Sequence, residues 1–386
     1  MKIKKIKLYQ FNRPFRIRFH SSQTLRTKAE SIVIQLEFEN GISGYGESAP
    51  RTYVTGENTS AVARVTQNCF APILLSHTFE SIDDVGGVLN ELENECQKRN
   101  ILQYNAALGG IDIALLDGLG KLQKLPAANF IGSTVRKKIP YSIPIPFLPH
   151  QKIRDLFSQL YDFNFHHVKV LLRQVESENI ERVSLVRSLF GDHVDIRVDV
   201  NEGWTFRQAL SNLERLEKFN ITAVEQPLPK EDIENLVRLR RAIGIPIIVD
   251  EGMCCLADAR MLIERDACDI LNIKISKCGG LLRSKEIASF AHSEGIRCQL
   301  GSHVGETDIL SAAGRCFAST TQNLAYVEGC SFLLFEDLSG KKQLQIKSIN
   351  EGEFSNSGLG IGGGSLQLIK KHCSPILELH SKFQSR

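Results

Sequence analysis

Five charged residues recur along the middle of the chain at nearly even spacing, each in or at the end of a short apolar run. They are Lys169, Asp199, Glu225, Asp250 and Lys274, separated by 30, 26, 25 and 24 residues. If the runs are neighbouring parallel strands, the three carboxylates meet at one edge and repel each other where water is excluded. A divalent cation relieves that repulsion, and all-oxygen ligation favours Mg²⁺ over zinc or copper, with Mn²⁺ as an alternative.

Strand alternation places further polar groups beside these residues. In DIRVDVN, Arg197, Asp199 and Asn201 share one face, and in ILNIKIS, Asn272 and Lys274 share one face. A lone Asp at a strand end is most often a helix N-cap. Three acidic residues at successive strand ends, with lysines on both flanks, are better explained by a shared cation. The lysines then serve as counter-charges or as acid/base groups.

The elements that position these residues recur with a period of roughly 25–30 residues, as βα units do. Each unit is a short apolar run followed by a helical segment. Open doubly wound sheets rarely reach eight such units, so the sequence predicts a closed (β/α)8 barrel with its chemistry at the C-terminal mouth. The predicted strands are 139–144, 166–171, 194–200, 221–226, 246–251, 270–275, 296–301 and 324–329.

The first third of the chain lacks this repeat and predicts an α+β unit. Strands are expected at 1–9 and 30–39, with an irregular stretch from Asn12 to Lys28 between them. Helices are expected near 58–75, 79–97 and 100–122. We therefore expect three parts: an α+β capping domain over 1–125, the barrel with its metal site over 126–350, and a segment over 351–386 that packs back on the capping domain.

Composition excludes several other classes of protein. The net charge is +3 with both signs mixed along the chain, so nucleic acid and membrane surfaces are not expected partners. No apolar run reaches the roughly 20 residues of a membrane-spanning helix, and the N-terminus lacks the apolar core of a signal peptide. The ten cysteines form no CxxC pair, which argues against a zinc site or a disulfide framework and favours a cytoplasmic protein.

Five ordered segments resemble the enolase superfamily in its muconate lactonizing enzyme branch, which also contains dipeptide epimerases and o-succinylbenzoate synthases. They are FHHVK, RVDVNEGW, VEQP, IIVDE and DILNIKISKCGG, one at each of the second to sixth barrel strands. The segment GISGYGESAPRTYVTGE is similar to the mobile capping loops of that branch. The resemblance therefore covers nearly the whole chain.

The resemblance implies that Asp199, Glu225 and Asp250 bind Mg²⁺, and that the metal takes the carboxylate of a small-molecule substrate. A lysine or histidine then removes the proton α to that carboxylate, and the metal stabilises the enolate as Lewis acid and template. The expected activity is that of an isomerase or lyase. Soluble barrels often form symmetric homo-oligomers, but the sequence does not specify the oligomeric state.

One departure from the family concerns the proton carriers. The branch places two lysines on the second barrel strand as K-x-K, whereas this chain has Lys169-Val170-Leu171. With Phe165 aligned to the aromatic residue before the motif, Leu171 replaces the second lysine. In the other register Lys169 is the second lysine and His167 the first, but the preceding FHH is then out of place.

With Leu171 in that position, Lys274 becomes the principal base and Lys169 an electrostatic helper. His303, after the seventh strand, resembles the catalytic histidine of the mandelate racemase branch. That branch pairs its histidine with an Asp on the sixth strand, where this chain has Lys274 and Ser276. His303 is a second candidate acid/base, and a structural histidine at the barrel rim is the competing interpretation.

Substrate contacts are predicted at the barrel mouth and in the capping loops near 12–28 and 50–57. The candidates, with the arginines proposed to meet a second anionic group, are Asn201, Glu328, Arg51, Tyr53 and Arg26. Solvated surface arginines are the competing interpretation. Dipeptide epimerases of the branch carry Asp-x-Asp after the eighth strand, where this chain has Val327 and Gly329. That difference argues against the usual dipeptide epimerase.

Three functions remain open at this stage. The first is a cycloisomerase or lyase-type reaction that uses one base. The second is a racemase or epimerase of an amino-acid derivative or dipeptide, with Lys274 and a second base on the opposite face. The third is a catalytically idle homologue that serves as a binding protein, although the retained metal residues and Lys274 argue against it.

Overall fold

An antiparallel four-stranded sheet and a parallel eight-stranded sheet organise the chain. The computed structural model describes residues 1–20, 25–160, 165–329, 357–361 and 363–381. The smaller sheet belongs to the N-terminal domain, and the larger one curls into a barrel surrounded by helices. The predicted architecture, a (β/α)8 barrel with an α+β capping domain, is confirmed.

The capping sheet combines both ends of the chain. Its strands, in the spatial order β12-β1-β2-β3, are β1 (Ile3–His20), β2 (Leu25–Phe38), β3 (Ser43–Ser48) and β12 (Cys373–His380). A tight turn joins β2 to β3, where Gly41 has a φ of 84° and Asn40 Oδ1 accepts from the backbone N–H of Ile42 at 3.1 Å. Pro375 is tolerated in β12 because β12 is an edge strand.

The prediction of an irregular stretch from Asn12 to Lys28 is wrong over most of its length. β1 and β2 continue through it as a hairpin whose register shifts between Pro14 and Phe19. The alternation of apolar and basic residues in FRIRFH is the period-two signal of a strand. Pro14 has no N–H to donate, so regular pairing breaks there. Residues 21–24 of this stretch lie outside the described part of the chain.

The last helix of the capping domain packs directly on its sheet. The helices are α1 (Thr59–Val65), α2 (Ala71–Leu74), α3 (Ile82–Lys98) and α4 (Asn105–Gln123), with a π-helical turn between the first two. A Cβ on Gly46 in β3 would collide with the carbonyl oxygen of Gly110, and one on Gly44 with that of Ala114. The small residues of α4 therefore let two backbones approach each other.

From residue 143 onward, parallel strands alternate with helices. The strands are β4 (Ile143–Ile145), β5 (His167–Leu171), β6 (Asp195–Asp199), β7 (Ile221–Glu225), β8 (Ile247–Val249), β9 (Ile270–Ile273), β10 (Arg297–Leu300) and β11 (Leu324–Val327). The helices are α5 (His150–Leu160), α6 (Glu176–Phe190), α7 (Phe206–Leu216), α8 (Ile233–Ala242), α9 (Leu256–Glu264), α10 (Leu281–Ser293) and α11 (Asp308–Thr320). Each strand overlaps one predicted run, and the helices cover the outside of the strands.

The barrel closes where its first and last strands meet. The sheet order runs β11-β10-β9-β8-β7-β6-β5-β4, and a parallel bridge pairs Tyr141 with Val327. The backbone N–H of Ser142 donates to Val327 O at 2.8 Å. In the closed ring, β5 and β9 are separated by three strands in either direction. Residues that end these two strands therefore face each other across the mouth.

Two buried carboxylates of the capping domain bind the N-termini of barrel helices. Glu47 in β3 accepts from the backbone N–H of Thr307 at 3.1 Å and from its hydroxyl at 2.6 Å, at the start of α11. Asp112 in α4 accepts from the backbone N–H of Leu281, at the start of α10. Carboxylates in these positions satisfy N–H groups that a helix leaves unpaired, and they interact favourably with its dipole.

The end of the chain returns to the capping domain through α12 (Gly363–Lys371) and then β12, which pairs with β1. Residues 330–356 lie outside the described part of the chain, and with them the predicted boundary between 350 and 351. Within the ranges that the structure describes, no helix is both long and apolar enough to cross a bilayer.

Candidate active site

Three carboxylates stand side by side at the C-terminal mouth of the barrel. Asp199 ends β6 and Glu225 ends β7, where the two residues pair in register, and Asp250 follows β8 directly. All three side chains are buried. Asn201 and Gln226 have φ values of 46° and 36°, so the chain turns away sharply after two of the strands. The backbone N–H of Asn201 donates to Asp199 Oδ1 at 3.1 Å and helps to fix that carboxylate.

Lys169 is the counter-charge of this cluster. It projects from β5, and its Nζ lies 3.0 Å from Asp199 Oδ2, 3.3 Å from Glu225 Oε2 and 2.7 Å from Glu328 Oε1. Burial lowers the pKa of Lys169, but the three carboxylates outweigh it and hold the pKa well above its ordinary value. Lys169 therefore stays an ammonium group at neutral pH.

Asp250 lies between two lysines that contact different oxygens. Lys274 Nζ lies 2.5 Å from Asp250 Oδ2, and Lys277 Nζ lies 2.9 Å from Asp250 Oδ1. Lys277 also donates to the carbonyl oxygens of Asp250 and Asn272, at 2.7 and 2.8 Å. Burial raises the pKa of Asp250, yet the two ammonium groups outweigh it and bring the pKa below its ordinary range. Asp250 is thus ionised and fixed in orientation.

Amide side chains from β9 and β10 hold Glu225. Asn272 Nδ2 donates to Glu225 Oε1 at 2.8 Å, and Gln299 Nε2 donates to Glu225 Oε2 at 3.0 Å. Burial and the adjacent Asp199 raise the pKa of Glu225 to about 7. A buried carboxyl with a raised pKa gains from an added positive charge, because the charge favours the ionised form.

The oxygens of this cluster fit a hard divalent cation such as Mg²⁺. Asp199, Glu225 and Asp250 offer carboxylate oxygens, and Glu251 adds a buried Oε2 without a hydrogen-bond partner among the described residues. Burial and the charge of Asp250 hold the pKa of Glu251 well above its ordinary value. In the described part of the chain, no three His, Cys, Asp or Glu side chains are gathered as they would be around a metal ion. The carboxylates bond to lysines instead.

The face opposite Lys274 is apolar. Leu171 ends β5 and pairs in register with Asp199, whereas Lys169 lies two residues earlier and so one layer deeper in the barrel. Leu171 is 2% exposed and packs against Phe15, Phe147 and Val304. Since β5 and β9 are opposed across the mouth, Leu171 lies across the mouth from Lys274.

His303 lies beyond β10, next to the strand that leads to Lys274. The imidazole is 3% exposed, and neither Nδ1 nor Nε2 has a hydrogen-bond partner in the described part of the chain. Burial, reinforced by the charges of Arg51 and Lys274, holds the pKa of His303 well below its ordinary value, so the ring is neutral. Its backbone N–H donates to Glu306 Oε1 at 2.6 Å, and burial raises the pKa of Glu306 to about 8.

The predicted substrate-binding residues occupy different environments. Asn201 Nδ2 donates to Glu251 Oε1 at 3.3 Å at the mouth, and Glu328 accepts from Arg197 at 2.8 Å in addition to its contact with Lys169. Both side chains are therefore engaged with residues of the charged cluster.

The predicted residues of the capping loops divide into one buried clamp and two partly exposed side chains. Arg51 is buried and donates to the carbonyl oxygens of Pro50, Val304 and Glu30, at 2.7, 2.9 and 3.2 Å. Burial and the charge of Arg26 lower the pKa of Arg51 to about 10. Arg51 thus joins a capping loop to the barrel loop that carries His303. Tyr53 and Arg26 are partly exposed.

Sequence reasoning missed Lys277 and the amide of Gln299. Lys277 stands three residues after Lys274 in KISKCGG, and nothing in this segment indicates that its ammonium group contacts Asp250. Gln299 lies on β10, two residues before Gly301 at the mouth. Because residues two apart share a face of a strand, alternation would have predicted that Gln299 points inward.

Family models match both domains of this chain. The model of the mandelate racemase / muconate lactonizing enzyme N-terminal domain matches residues 4–132, and the model described as enolase C-terminal domain-like matches residues 152–362. N-succinyl-L-Arg/Lys racemase of Bacillus cereus is 28% identical over 368 residues, which cover 95% of this chain and 97% of that protein. Muconate cycloisomerase 1 of Rhodococcus opacus is 26% identical over 309 residues, which cover 78% and 80%.

Solved structures are similar to this chain over most of its length. The crystal structure of N-succinyl Arg/Lys racemase from Bacillus cereus superposes with a TM-score of 0.86 at 27% identity, covering 98% of this chain and 100% of that one. A dipeptide epimerase from Cytophaga hutchinsonii, complexed with Mg and the dipeptide D-Ala-L-Val, superposes with a TM-score of 0.80 at 25% identity, covering 87% and 89%.

Proposed function

Because this chain belongs to the mandelate racemase / muconate lactonizing enzyme family of the enolase superfamily, we propose that it removes a proton α to a substrate carboxylate, with Lys274 as the base. Asp199, Glu225 and Asp250 would hold Mg²⁺. When bound, the ion would receive the substrate carboxylate and stabilise the negative charge that proton removal creates. Lys169 keeps the carboxylates compatible with burial, and Lys277 orients Asp250.

The observation that carries this proposal is the asymmetry of the mouth. Lys274 stands on one side, and Leu171 with its apolar neighbours stands on the other. Lys169 is an unsuitable second base because it lies a layer deeper than Leu171 and its ammonium contacts three carboxylates. We infer one-base chemistry, in which Lys274 takes the proton and returns it to the same face or passes it to a leaving group. A cycloisomerase or a β-eliminating lyase works in this way.

A racemase or epimerase of an amino-acid derivative is the second candidate. Relatives with these activities favour it, and so does the buried neutral imidazole of His303. Racemisation needs proton carriers on opposite faces of the substrate carbon. His303 and Lys274 follow the neighbouring strands β10 and β9, so they approach the mouth from the same side. His303 would therefore need a partner on β5, where the structure has Leu171 at the mouth.

The test is exchange of α-protons in D2O with Mg²⁺, followed by NMR across N-acylamino acids, dipeptides, hydroxy acids and unsaturated lactones. Wild type is compared with Lys274→Ala and Asp250→Asn. Exchange with retention of configuration, lost in both variants, supports the one-base proposal. Exchange with inversion overturns it in favour of the racemase or epimerase. Absence of exchange with every compound, together with no Mg²⁺ binding by calorimetry, favours an idle homologue.

A further inference from the structure

The barrel mouth has two halves of opposite character. The strands from β6 to β9 bring the three carboxylates and Lys274, which form the charged half. The other half carries four apolar side chains that come from separate elements: Leu171, Phe147, Val304 and Phe15. We call these four residues the mouth wall. Leu171 ends β5, Phe147 and Val304 lie in the loops after β4 and β10, and Phe15 lies within β1 of the capping domain.

The wall meets the charged half at Leu171. Leu171 pairs in register with Asp199, and it shares the inward face of β5 with Lys169, whose ammonium reaches the carboxylates. Leu171 is almost fully covered and forms the base of the wall, while Phe15, Phe147 and Val304 pack against it and are half-buried. A substrate whose carboxylate lies in the charged half therefore places a neighbouring substituent against these side chains.

The residues directly before and after Phe147 are fixed by hydrogen bonds from Arg182. Arg182 donates to the carbonyl oxygen of Pro146 at 3.2 Å and to that of Leu148 at 3.4 Å. Its guanidinium lies 4.6 Å from the centre of the Phe147 ring, and that of Arg173 lies 3.8 Å from it. These contacts fix the ring before any ligand arrives, which lowers the entropic cost of binding to it.

From this arrangement we propose that the mouth wall binds an uncharged hydrocarbon substituent on or next to the α-carbon of the substrate. The substrate class is then a carboxylate with a branched aliphatic or aromatic group, and not one whose substituent at that position is charged. A hydrocarbon gains from leaving water at such a surface, whereas an ammonium or carboxylate in contact with these four apolar side chains loses hydration. This inference rests on the proposed function, because it takes the substrate carboxylate to be in the charged half.

The experiment compares substituents on one scaffold. The probes are carboxylates of the class that exchanges fastest, each with no side chain or with a benzyl, isobutyl, 4-aminobutyl or 2-carboxyethyl side chain. We expect kcat/KM for α-proton exchange to be about 10- to 200-fold higher for the two hydrocarbon side chains than for the two charged ones, as pockets of this kind discriminate. Equal or faster exchange of a charged member overturns the inference.

Phe147→Ala tests the wall itself, and Phe290→Ala is the matched control. Phe290 is also half-buried under a guanidinium, that of Arg260 at 4.4 Å, but it lies towards the C-terminal end of α10, away from the mouth. We expect Phe147→Ala to lower kcat/KM for the benzyl probe by about 10-fold or more relative to the probe without a side chain. Val304→Ala should produce a smaller loss in the same direction, and Phe290→Ala none.

Failure of the proposed function and failure of the mouth-wall inference would give different results. If no carboxylate exchanges its α-proton, or if exchange persists in Lys274→Ala, the proposed function is wrong. If exchange depends on Lys274 but Phe147→Ala slows every probe equally, the function stands and the mouth wall is not the site of the substituent. The unfolding midpoint of each variant shows that it has folded before its kinetics are compared.

Discussion

Replacing Lys277 with Met tests whether the two lysines on Asp250 have separate roles. Lys277 is fully buried, and its Nζ donates to Asp250 O, Asn272 O and Asp250 Oδ1 at 2.7, 2.8 and 2.9 Å. Met fills a similar volume but donates nothing, so three buried acceptors lose their partner. Removing one member of a buried ion pair costs about 3–5 kcal/mol, and we expect the free energy of unfolding to fall by that amount.

Lys274→Met provides the matched control because the same carboxylate loses a different lysine. Lys274 is 8% exposed, contacts Asp250 Oδ2 and lies at the mouth, where water can replace its ammonium. We expect this substitution to cost no more than about 2 kcal/mol of stability, since Asp250 keeps Lys277 and gains hydration. It should nevertheless abolish α-proton exchange, because it removes the proposed base.

The assay is urea unfolding followed by circular dichroism at neutral pH, with the metal removed by a chelator so that ligand binding does not contribute to stability. α-Proton exchange is then measured with Mg²⁺ on the same preparations. If Lys277→Met lowers the unfolding free energy by less than about 1 kcal/mol, the size of an average substitution, Lys277 does not stabilise the fold through Asp250. The separation of roles between the two lysines is refuted if Lys274→Met is destabilised as much as Lys277→Met.

Three further predictions follow from the geometry. Leu171→Lys places an amine across the mouth from Lys274, so exchange should begin to scramble the configuration of the α-carbon, as chiral chromatography of the product would show; unchanged retention would contradict the assignment of that face. His303→Asn should slow exchange by less than about 10-fold, whereas a loss of about 100-fold or more would identify His303 as a base. Burial raises the pKa of Asp112 from 3.8 to about 7, so in the wild type the unfolded chain loses this proton before the folded one does. The unfolding free energy of the wild type relative to Asp112→Asn should therefore fall as pH rises from about 4 to 7, by roughly 1.4 kcal/mol for each unit of pKa difference. Above that range the difference should stay constant. Urea unfolding midpoints of the two proteins that differ by the same amount from about pH 4 to 7 would contradict the raised pKa.

The barrel strands and their ends were predictable because each can be recognised from the residue types of one short segment. Parallel barrel strands are buried on both faces, so each appears as a short apolar run. The residue that ends the run then stands out in the sequence as a polar residue, as Asp199 and Glu225 do, although both are buried. The family predicted from five such segments is confirmed. Relatives such as the N-succinyl-L-Arg/Lys racemase of Bacillus cereus are isomerases. Strand ends and the order of the motifs can be recognised in a single sequence because each depends on one short segment.

Contacts between distant segments were not predictable in the same way. β12 pairs with β1 across almost the whole length of the chain, and its segment CSPILELH carries a proline that weakens any strand signal. Lys277 appears in the sequence as one more lysine near a helix start, because its partner Asp250 comes from the preceding βα unit. The closed mouth wall likewise brings together residues from four separate elements, and no local pattern specifies that meeting.

The capping domain affects the two halves of the mouth differently. Glu47 and Asp112 bind the starts of α11 and α10, and the backbone N–H of Ala49 donates to Ser276 Oγ at 2.8 Å, two residues beyond Lys274. These contacts are buried and fix α10 and α11, the helices after β9 and β10. Lys274, the proposed base, directly follows β9. On the other side, the capping domain contributes one apolar side chain, Phe15, to the wall. If the mouth wall binds the substituent as proposed, we expect substitution in the β1–β2 hairpin or the loop of Phe147 to alter which substituent fits without displacing Lys274. Specificity and proton transfer would then change independently in this architecture.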